Sequence, residues 1–254
     1  MSELDASYAS HPLRGVTRRA LWARMRGRRL PITQGQLRVP GPEQSFTVTR
    51  DRWGIPHLRA RISEDAAFGL GFCHGQDRSL QITLLHAWVH GRLSERVGPL
   101  AMAADRIAHQ LQLPGWAAGV RVQLSPWAQR SLERYASGVG AGQSHGRLRR
   151  CPGHHLLRTH PCEFLADDAL AVLIFRLLSG SLAGADAWGL WGLGEGGPLE
   201  TLDLEARLRQ ASAAPSLPNP HYLAHLETPA AFVAGAGWVG TPVFAVAQDG
   251  AQGW

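Results

Sequence analysis

The amino-acid sequence predicts an α+β fold, in which a mostly helical region is followed by a short β-hairpin. Of the 254 residues, 44% are apolar and 18% are charged. This is enough apolar material for a core and too little charge for a disordered chain. Helical periodicity occupies most of residues 63–212, whereas extended, partly β-branched segments lie near 36–60 and 230–248. These observations together favour helices and strands that are separated along the chain.

The first 34 residues are predicted to form an Arg-rich N-terminal arm. Residues 1–29 carry seven Arg against two acidic residues, and all 26 basic residues of the chain are Arg. Beyond residue 30 the Arg are scattered and no aromatic residues interleave with them, so we expect no nucleic-acid partner. The sequence has no run of 18 apolar residues and opens with no charged-then-apolar leader. We therefore expect no membrane partner and a cytoplasmic location.

Two short strands are predicted after this arm. Apolar and polar residues alternate over 46–50, which is typical of a strand. A turn is predicted over 51–54, because it ends in Gly54, and a second extended stretch follows over 56–60.

The first long helix is predicted over 63–89. Ser63 is a candidate N-cap, and Glu64 and Asp65 follow it in the first turn, where acidic groups suit the helix dipole. Apolar residues continue at helical spacing to Val89. Three glycines weaken the early turns by about 1 kcal/mol each relative to Ala, which indicates close packing or a bend: Gly69, Gly71 and Gly75.

Further elements follow the same reasoning. Helical periodicity predicts helices over 101–112, 126–137, 166–179 and 200–212. A Pro-rich break lies at 213–220. After it, the apolar segments 231–235 and 242–247, separated by residues that include Gly237 and Gly240, predict a β-hairpin.

The cysteines and histidines do not form a recognisable metal-binding pattern. The chain has three cysteines, which is an odd number and includes no Cys-x-x-Cys pair, so no disulfide framework is predicted. One cluster of these residues has two interpretations, a zinc site or a loop that happens to be rich in Cys and His. The spacing of the residues in the cluster favours the loop. The cluster consists of Cys151, His154, His155, His160 and Cys162.

A set of ordered motifs carries a much more specific signal. They read Val48-Thr-Arg-Asp-Arg-Trp-Gly-Ile-Pro-His-Leu58, then Phe68-Gly-Leu-Gly-Phe-Cys-His-Gly-Gln-Asp-Arg78, then Gly91-Arg-Leu-Ser-Glu-Arg-Val-Gly98. In this order and spacing they resemble the start of the penicillin acylase (penicillin amidase) family. Weaker matches at 135–141, 168–173 and 228–250 extend the resemblance to about residues 35–250.

The resemblance implies a fold, a domain division and a mechanism. Residues 35–220 resemble the family's α chain, and residues 221–254 resemble the start of its β chain, apparently truncated, from the αββα sandwich of N-terminal nucleophile (Ntn) hydrolases. Family members hydrolyse linear amides. Their precursor cuts itself, which frees an N-terminal Ser whose α-amino group, with a pKa of about 7.7, acts as the base.

The resemblance places the family's nucleophilic Ser at Thr228. A Thr hydroxyl is a usable nucleophile in this class. Glu227 replaces the small residue that usually precedes the cut, and Pro229 restricts the backbone of Thr228. Both departures argue against cleavage of the bond between Glu227 and Thr228.

The resemblance also implies roles for other residues. The family's α-chain calcium ligand, a Glu, corresponds to His154, and imidazole is a poor ligand for calcium. We therefore expect the calcium site to be lost and no cofactor to be needed. Residues 179–183 correspond to the border of the family's acyl pocket.

The residues of the ordered motifs are expected to be structural rather than catalytic. We expect Asp77 and Arg78 to pair with residues elsewhere in the chain. His57 is expected to be hydrogen-bonded, and Glu95 to be a buried or half-buried partner of an Arg such as Arg92.

Two functions remain open from the resemblance, and a third, an Arg-rich binding module, rests only on the charge of the chain. The first is a hydrolase of linear amides in N-acyl compounds such as β-lactam antibiotics or acyl-homoserine lactones, with such a molecule as its partner. The second is a catalytically inactive truncated remnant, or an α-like module that needs a separate β-like chain. For a chain of this kind alone, we expect exposed apolar surface that favours association.

Overall fold

A computed structural model describes residues 35–145, 151–181 and 220–253 of the chain. These residues form helices and a mixed β-sheet, which confirms the predicted α+β class. The Arg-rich arm, the helix predicted at 200–212 and most of the Pro-rich break lie outside the described residues. No helix of the described ranges is both long and apolar enough to cross a membrane.

The helices occupy the middle of the chain, as predicted. In chain order they are α1 (Ser63–Asp77), α2 (Ser79–Val89), α3 (Ser94–Val97), α4 (Met102–Leu111), α5 (Leu113–Arg121), α6 (Pro126–His145), α7 (Pro152–Leu156) and α8 (Ala166–Ser181). A short 3₁₀ turn, Pro99–Ala101, precedes α4.

The strands form one five-stranded sheet in the order β1-β2-β3-β4-β5. They are β1 (Thr47–Arg50), β2 (Pro56–Arg59), β3 (His221–Glu227), β4 (Phe232–Trp238) and β5 (Phe244–Gln248). β2 and β3 are parallel, and every other neighbouring pair is antiparallel. The predicted strands and the predicted hairpin are therefore present.

The predicted hairpin is extended by a further strand on one side. β3, which the sequence pattern did not predict, pairs along its whole length with β4 and continues the sheet to β2. The hairpin thereby becomes part of a sheet that includes strands from the start of the described chain. One face of this sheet packs on the helices through Leu58, Tyr222 and Ala224, all of which are buried.

The helix predicted over 63–89 is two helices, because the chain turns at Arg78. Arg78 leaves helical geometry with φ −125° and ψ 23°. The predicted N-cap is also wrong, since Ile62 occupies the cap position and the Ser63 hydroxyl donates to the Glu64 carboxylate at 3.0 Å. Asp65 is fully buried and accepts the backbone N–H groups of Glu43 and Gln44, each at 2.9 Å. Its carboxylate thus attaches the entering chain to the first turn of α1.

Helices α1 and α6 pack with their backbones in contact at glycines. A Cβ on Gly71 would lie 2.1 Å from the Tyr135 carbonyl oxygen, and one on Gly138 would lie 2.0 Å from the Phe68 carbonyl oxygen. Gly75 and Gly142 make equivalent approaches one turn further along. The predicted close packing is therefore present. It also explains why α6 continues to His145, beyond its predicted end at 137, despite its glycines.

Candidate functional site

A buried ion pair between Arg50 and Asp77 organises the first two motifs. The Arg50 guanidinium donates to both Asp77 carboxylate oxygens, at 2.8 and 3.0 Å, and the two side chains are only 12% and 15% exposed. A bidentate pair of this kind is strong and directional. The Tyr222 hydroxyl also donates to the Asp77 carboxylate. Asp77 thereby connects α1 to both β1 and β3, which confirms the prediction that it has partners elsewhere.

Burial and the neighbouring charge perturb the pKa values in this network. Burial acts to lower the pKa of Arg50, but the charge and hydrogen bonds of Asp77 raise it overall. Burial, Cys73 and Asp77 raise the pKa of Tyr222. Burial likewise raises the pKa of the Cys73 thiol to about 12, so this cysteine is neutral and unreactive at neutral pH.

The turn after Arg50 is held by Asp51. The Asp51 carboxylate accepts the backbone N–H groups of Trp53 and Ile55, at 2.8 and 2.9 Å. Gly54 has φ +79°, a conformation that favours glycine, and its carbonyl accepts a hydrogen bond from Arg50 at 3.1 Å. The hydrogen bonds of a single turn therefore explain the spacing Arg-Asp-x-x-Gly.

Two histidines meet across the parallel strands β2 and β3. His57 and His225 are register partners, and their Nδ1 atoms lie 2.8 Å apart. One nitrogen must donate and the other accept, so at least one ring is neutral in this contact. Burial, followed by the charge of His57, lowers the pKa of His225. The predicted hydrogen-bonded role of His57 is therefore present, with a partner that the sequence did not reveal.

Thr228 begins the tight turn between β3 and β4. Its N–H donates to the Ala231 carbonyl at 2.8 Å, and its Oγ1 accepts the Ala231 N–H at 3.0 Å. The preceding carbonyl, that of Glu227, accepts the Ala60 N–H at 3.0 Å. The Glu227 carboxylate pairs with Arg59 at 2.8 Å. The candidate nucleophile therefore lies in a turn whose polar groups are occupied.

A cavity of about 650 Å³ opens between α5, α6 and the start of α8. Arg121 spans its rim and donates to Glu133 at 2.6 Å and to Asp167 at 3.0 Å. Thr228 is not among the residues that line this cavity. The side chains of residues 179–183, which the resemblance placed at an acyl pocket, lie outside the described part of the chain.

The remaining predicted residues are structural in this arrangement. His154 is buried, and its Nε2 lies 2.9 Å from the Ser79 hydroxyl. Glu95 pairs with Arg92, as predicted, and the side chains of Arg92 and Glu95 are 58% and 50% exposed. Arg78 lies over the Tyr222 ring at 5.9 Å from its centroid.

Sequence reasoning missed two sets of residues. Tyr222 and His225 lie on β3, where the alternation His-Tyr-Leu-Ala-His-Leu-Glu could have indicated a strand. His86, His90 and Asp168 meet between α2 and α8. The spacing of four between the two histidines was the available signal, because it places both on one helix face. Within the described ranges, the Cys and His cluster around residue 154 does not gather at metal-ligand distances.

Comparisons of the sequence with known proteins all point to the same family. A sequence model described as penicillin amidase matches residues 45–193. Penicillin acylase 2 proenzyme of Pseudomonas sp. (strain SE83) is 37% identical over 112 residues, which are 44% of this chain and 14% of that protein. Acyl-homoserine lactone acylase QuiP of Pseudomonas fluorescens (strain Pf-5) is 36% identical over 150 residues, which are 59% of this chain and 18% of that protein.

A solved structure is also similar to this chain. It is a thermostable penicillin G acylase from Alcaligenes faecalis, 20% identical, with a TM-score of 0.49. The match covers 66% of this chain and 92% of that one. By contrast, the matched segment spans less than a fifth of each of the two curated relatives.

Proposed function

The chain belongs to the penicillin amidase family, and on this premise we propose that it serves the hydrolysis of linear amide bonds in N-acyl compounds. Residues 35–220 are proposed as its α-chain-like region and residues 221–254 as the start of its β-chain-like region. The proposed substrate classes are N-acyl β-lactams and N-acyl-homoserine lactones, because relatives carry the names penicillin acylase and acyl-homoserine lactone acylase.

Thr228 is the proposed nucleophile of such a reaction. Its hydroxyl needs a base, and in this mechanistic class the base is the free α-amino group of the same residue. In the intact chain this nitrogen is an amide that donates a hydrogen bond to the Ala231 carbonyl. Because this nitrogen cannot act as a base, we propose that the intact chain has no hydrolytic activity.

Cleavage before Thr228 would have to disrupt the hairpin. The Thr228 hydroxyl would attack the Glu227 carbonyl carbon, but it is engaged with the Ala231 backbone instead. The Glu227 carbonyl oxygen accepts a hydrogen bond from the N–H of Ala60, the residue that directly follows β2. Pro229 further limits how Thr228 can rotate. These constraints support the proposal that the full-length chain does not cut itself unaided.

We therefore propose that activity needs a separate β-like chain, which would supply an oxyanion hole. Removing a single oxyanion donor from a characterised enzyme costs about 3–4 kcal/mol of transition-state stabilisation. Without oxyanion donors, hydrolysis is expected to be too slow to detect.

The test combines intact-mass measurement with an activity assay. The purified chain and its Thr228→Ala variant are incubated with an N-acyl-homoserine lactone and an N-acyl β-lactam. The same assay is repeated after co-expression with the part of acyl-homoserine lactone acylase QuiP that follows the position corresponding to Thr228, so that the added segment brings no nucleophile of its own. We expect the chain alone to keep its full mass and to release no acyl group. With the added segment we expect hydrolysis that Thr228→Ala abolishes.

Other outcomes would contradict parts of this proposal. A fragment that begins at Thr228, together with activity of the chain alone, would overturn the need for a second chain. Hydrolysis that persists in Thr228→Ala would remove Thr228 as the nucleophile. Inactivity in every combination would favour the alternative, a catalytically inactive module.

A further inference from the structure

A group of three metal-ligand side chains lies between α2 and α8, apart from the Thr228 hairpin. His86 lies in the last turn of α2 and His90, four residues later, is the C-cap of that helix; their ring centroids are 4.5 Å apart. Asp168 belongs to the first turn of α8, and its two oxygens lie 2.7 Å from His90 Nε2 and 3.8 Å from His86 Nε2. One ligand atom from each of the three residues falls within 4.8 Å of the other two.

We propose that His86, His90 and Asp168 form a binding site for a divalent transition-metal ion, with Zn²⁺ as the preferred class. Two imidazoles and one carboxylate are a ligand set that zinc accepts, and the fourth position is left for water. Histidines at i and i+4 on one helix are a known way to present two nitrogens to zinc. Calcium and magnesium require mostly oxygen ligands and do not fit this set.

The distances are compatible with such a site after small side-chain rotations. Zn–N and Zn–O bonds of about 2.0–2.2 Å in a tetrahedron place the ligand atoms about 3.3 Å apart. In the absence of an ion, Asp168 Oδ1 lies 2.7 Å from His90 Nε2 and Asp168 Oδ2 lies 3.8 Å from His86 Nε2, so each histidine faces a different oxygen. An ion held by one oxygen of Asp168 would lengthen the contact between that carboxylate and His90, and would draw the His86 ring towards the same ion.

The carboxylate is held in place before any ion binds. The Oδ2 atom of Asp168, which faces His86, also accepts the Leu165 backbone N–H at 2.8 Å, at the start of α8. Its side chain is only 8% exposed, whereas those of His86 and His90 are 24% and 33% exposed. The site is thus anchored on the buried side and open to solvent on the other, where an ion can enter.

The surrounding charges affect how tightly an ion can bind. Arg92 and Arg96 are close enough to act electrostatically on His86. Arg92 is paired with Glu95, and Arg96 donates to the Thr159 hydroxyl at 3.1 Å. These cations disfavour a site that relies on charge alone and favour a metal that binds imidazole nitrogen strongly, which is a property of zinc.

The experiment titrates the metal-free full-length chain with Zn²⁺ by calorimetry and with Co²⁺ by visible absorption. The variants are His86→Gln, His90→Gln and Asp168→Asn. The matched control is His160→Gln, because His160 is an exposed histidine outside the group. Asn at position 168 can still accept the Leu165 N–H, so the start of α8 is preserved. Circular dichroism checks that each variant is folded.

We expect one Zn²⁺ per chain and a Co²⁺ spectrum of four-coordinate type. Each of the three variants should weaken binding by at least about tenfold, because each removes a ligand. Zinc should also raise the melting temperature of the wild type and of His160→Gln, but not that of His86→Gln. If zinc binds the His86→Gln and His90→Gln variants as tightly as the wild type, or does not bind the wild type, the site does not exist.

Discussion

At the scale of single residues, the ordered motifs are explained by hydrogen bonds rather than by catalysis. Arg50, Asp77 and Tyr222 form one buried network, and Asp51 closes the turn that follows Arg50. A charged pair removed from water is stable only when both members are satisfied. Arg50 and Asp77, which belong to two separate motifs, therefore depend on each other in the folded chain.

Replacing Asp77 by Asn is expected to destabilise the chain strongly. The substitution leaves the Arg50 guanidinium without its charge partner in a mostly buried position, and removing one member of such a pair costs about 3–5 kcal/mol. Urea unfolding followed by circular dichroism measures the change. The control is Glu95→Gln, which breaks the exposed pair with Arg92 and should leave the unfolding midpoint unchanged. Equal effects of the two substitutions would contradict the network.

The buried His74 is expected to make stability depend on pH. It is fully buried, its Nδ1 lies 2.6 Å from the Tyr135 hydroxyl, and burial lowers its pKa to about 3. The unfolded chain binds a proton at this residue near pH 6.5, whereas the folded chain does not. The stability that depends on a neutral His74 is therefore fully present above pH 6.5. As the pH falls from about 6.5 towards 3, the free energy of unfolding decreases by roughly 1.4 kcal/mol per pH unit.

Unfolding at several pH values tests this dependence. The His74→Asn variant cannot be protonated in this range and retains a side chain that can bond the Tyr135 hydroxyl. We expect the variant to lose less stability between pH 6.5 and 5 than the wild type does. Parallel curves for the two proteins would show that another group causes the dependence.

At the scale of elements, the contact between α1 and α6 depends on reciprocal glycines. Gly71 and Gly75 on α1 face the backbone of α6, and Gly138 and Gly142 on α6 face the backbone of α1. A side chain at any of these positions would meet a carbonyl oxygen that cannot move without displacing a helix. The helix-weakening glycines of the sequence are therefore what allow these two helices to approach each other.

Gly138→Ala and Gly140→Ala are expected to have opposite effects, although both lie in α6. A Cβ at position 138 would lie 2.0 Å from the Phe68 carbonyl oxygen, whereas nothing lies within 4 Å of one at position 140. Alanine at 140 should stabilise the helix by about 0.5–1 kcal/mol, because it restricts the unfolded chain. Alanine at 138 should destabilise it by about 1–3 kcal/mol through overpacking. Thermal unfolding of both variants measures this, and destabilisation by Gly140→Ala would argue against the packing described.

At the scale of the whole molecule, the sheet joins the two ends of the described chain. The parallel pairing of β2 with β3 connects residues separated by 168 positions, for example His57 and His225. The outward face carries a row of apolar residues across three strands. Leu223 and Ala236 are register partners, Ala236 and Val246 are register partners, and Leu223 and Val246 are 53% and 64% exposed.

This apolar row is expected to promote self-association of the chain. Exposed contiguous apolar surface favours contacts with other molecules. The double variant Leu223→Thr, Val246→Thr keeps strand-forming residues and should shift the chain towards monomer in sedimentation velocity experiments. The control is Leu100→Thr, since Leu100 is 81% exposed but lies outside the sheet. Unchanged sedimentation of the double variant would contradict this role of the row.

The sequence by itself determined the family, the α+β class and the approximate positions of β1, β2, β4, β5 and most helices. These features depend on local periodicity and on ordered motifs, which can be recognised along the chain. Only the tertiary structure decided that β3 lies beside β2, that His225 meets His57, and that Asp168 meets His86 and His90. It also decided that the predicted helix over 63–89 turns at Arg78. The physical reason is that the contacts of β3, His225 and Asp168 join residues far apart in sequence. A local sequence pattern does not indicate which distant residue a side chain will contact.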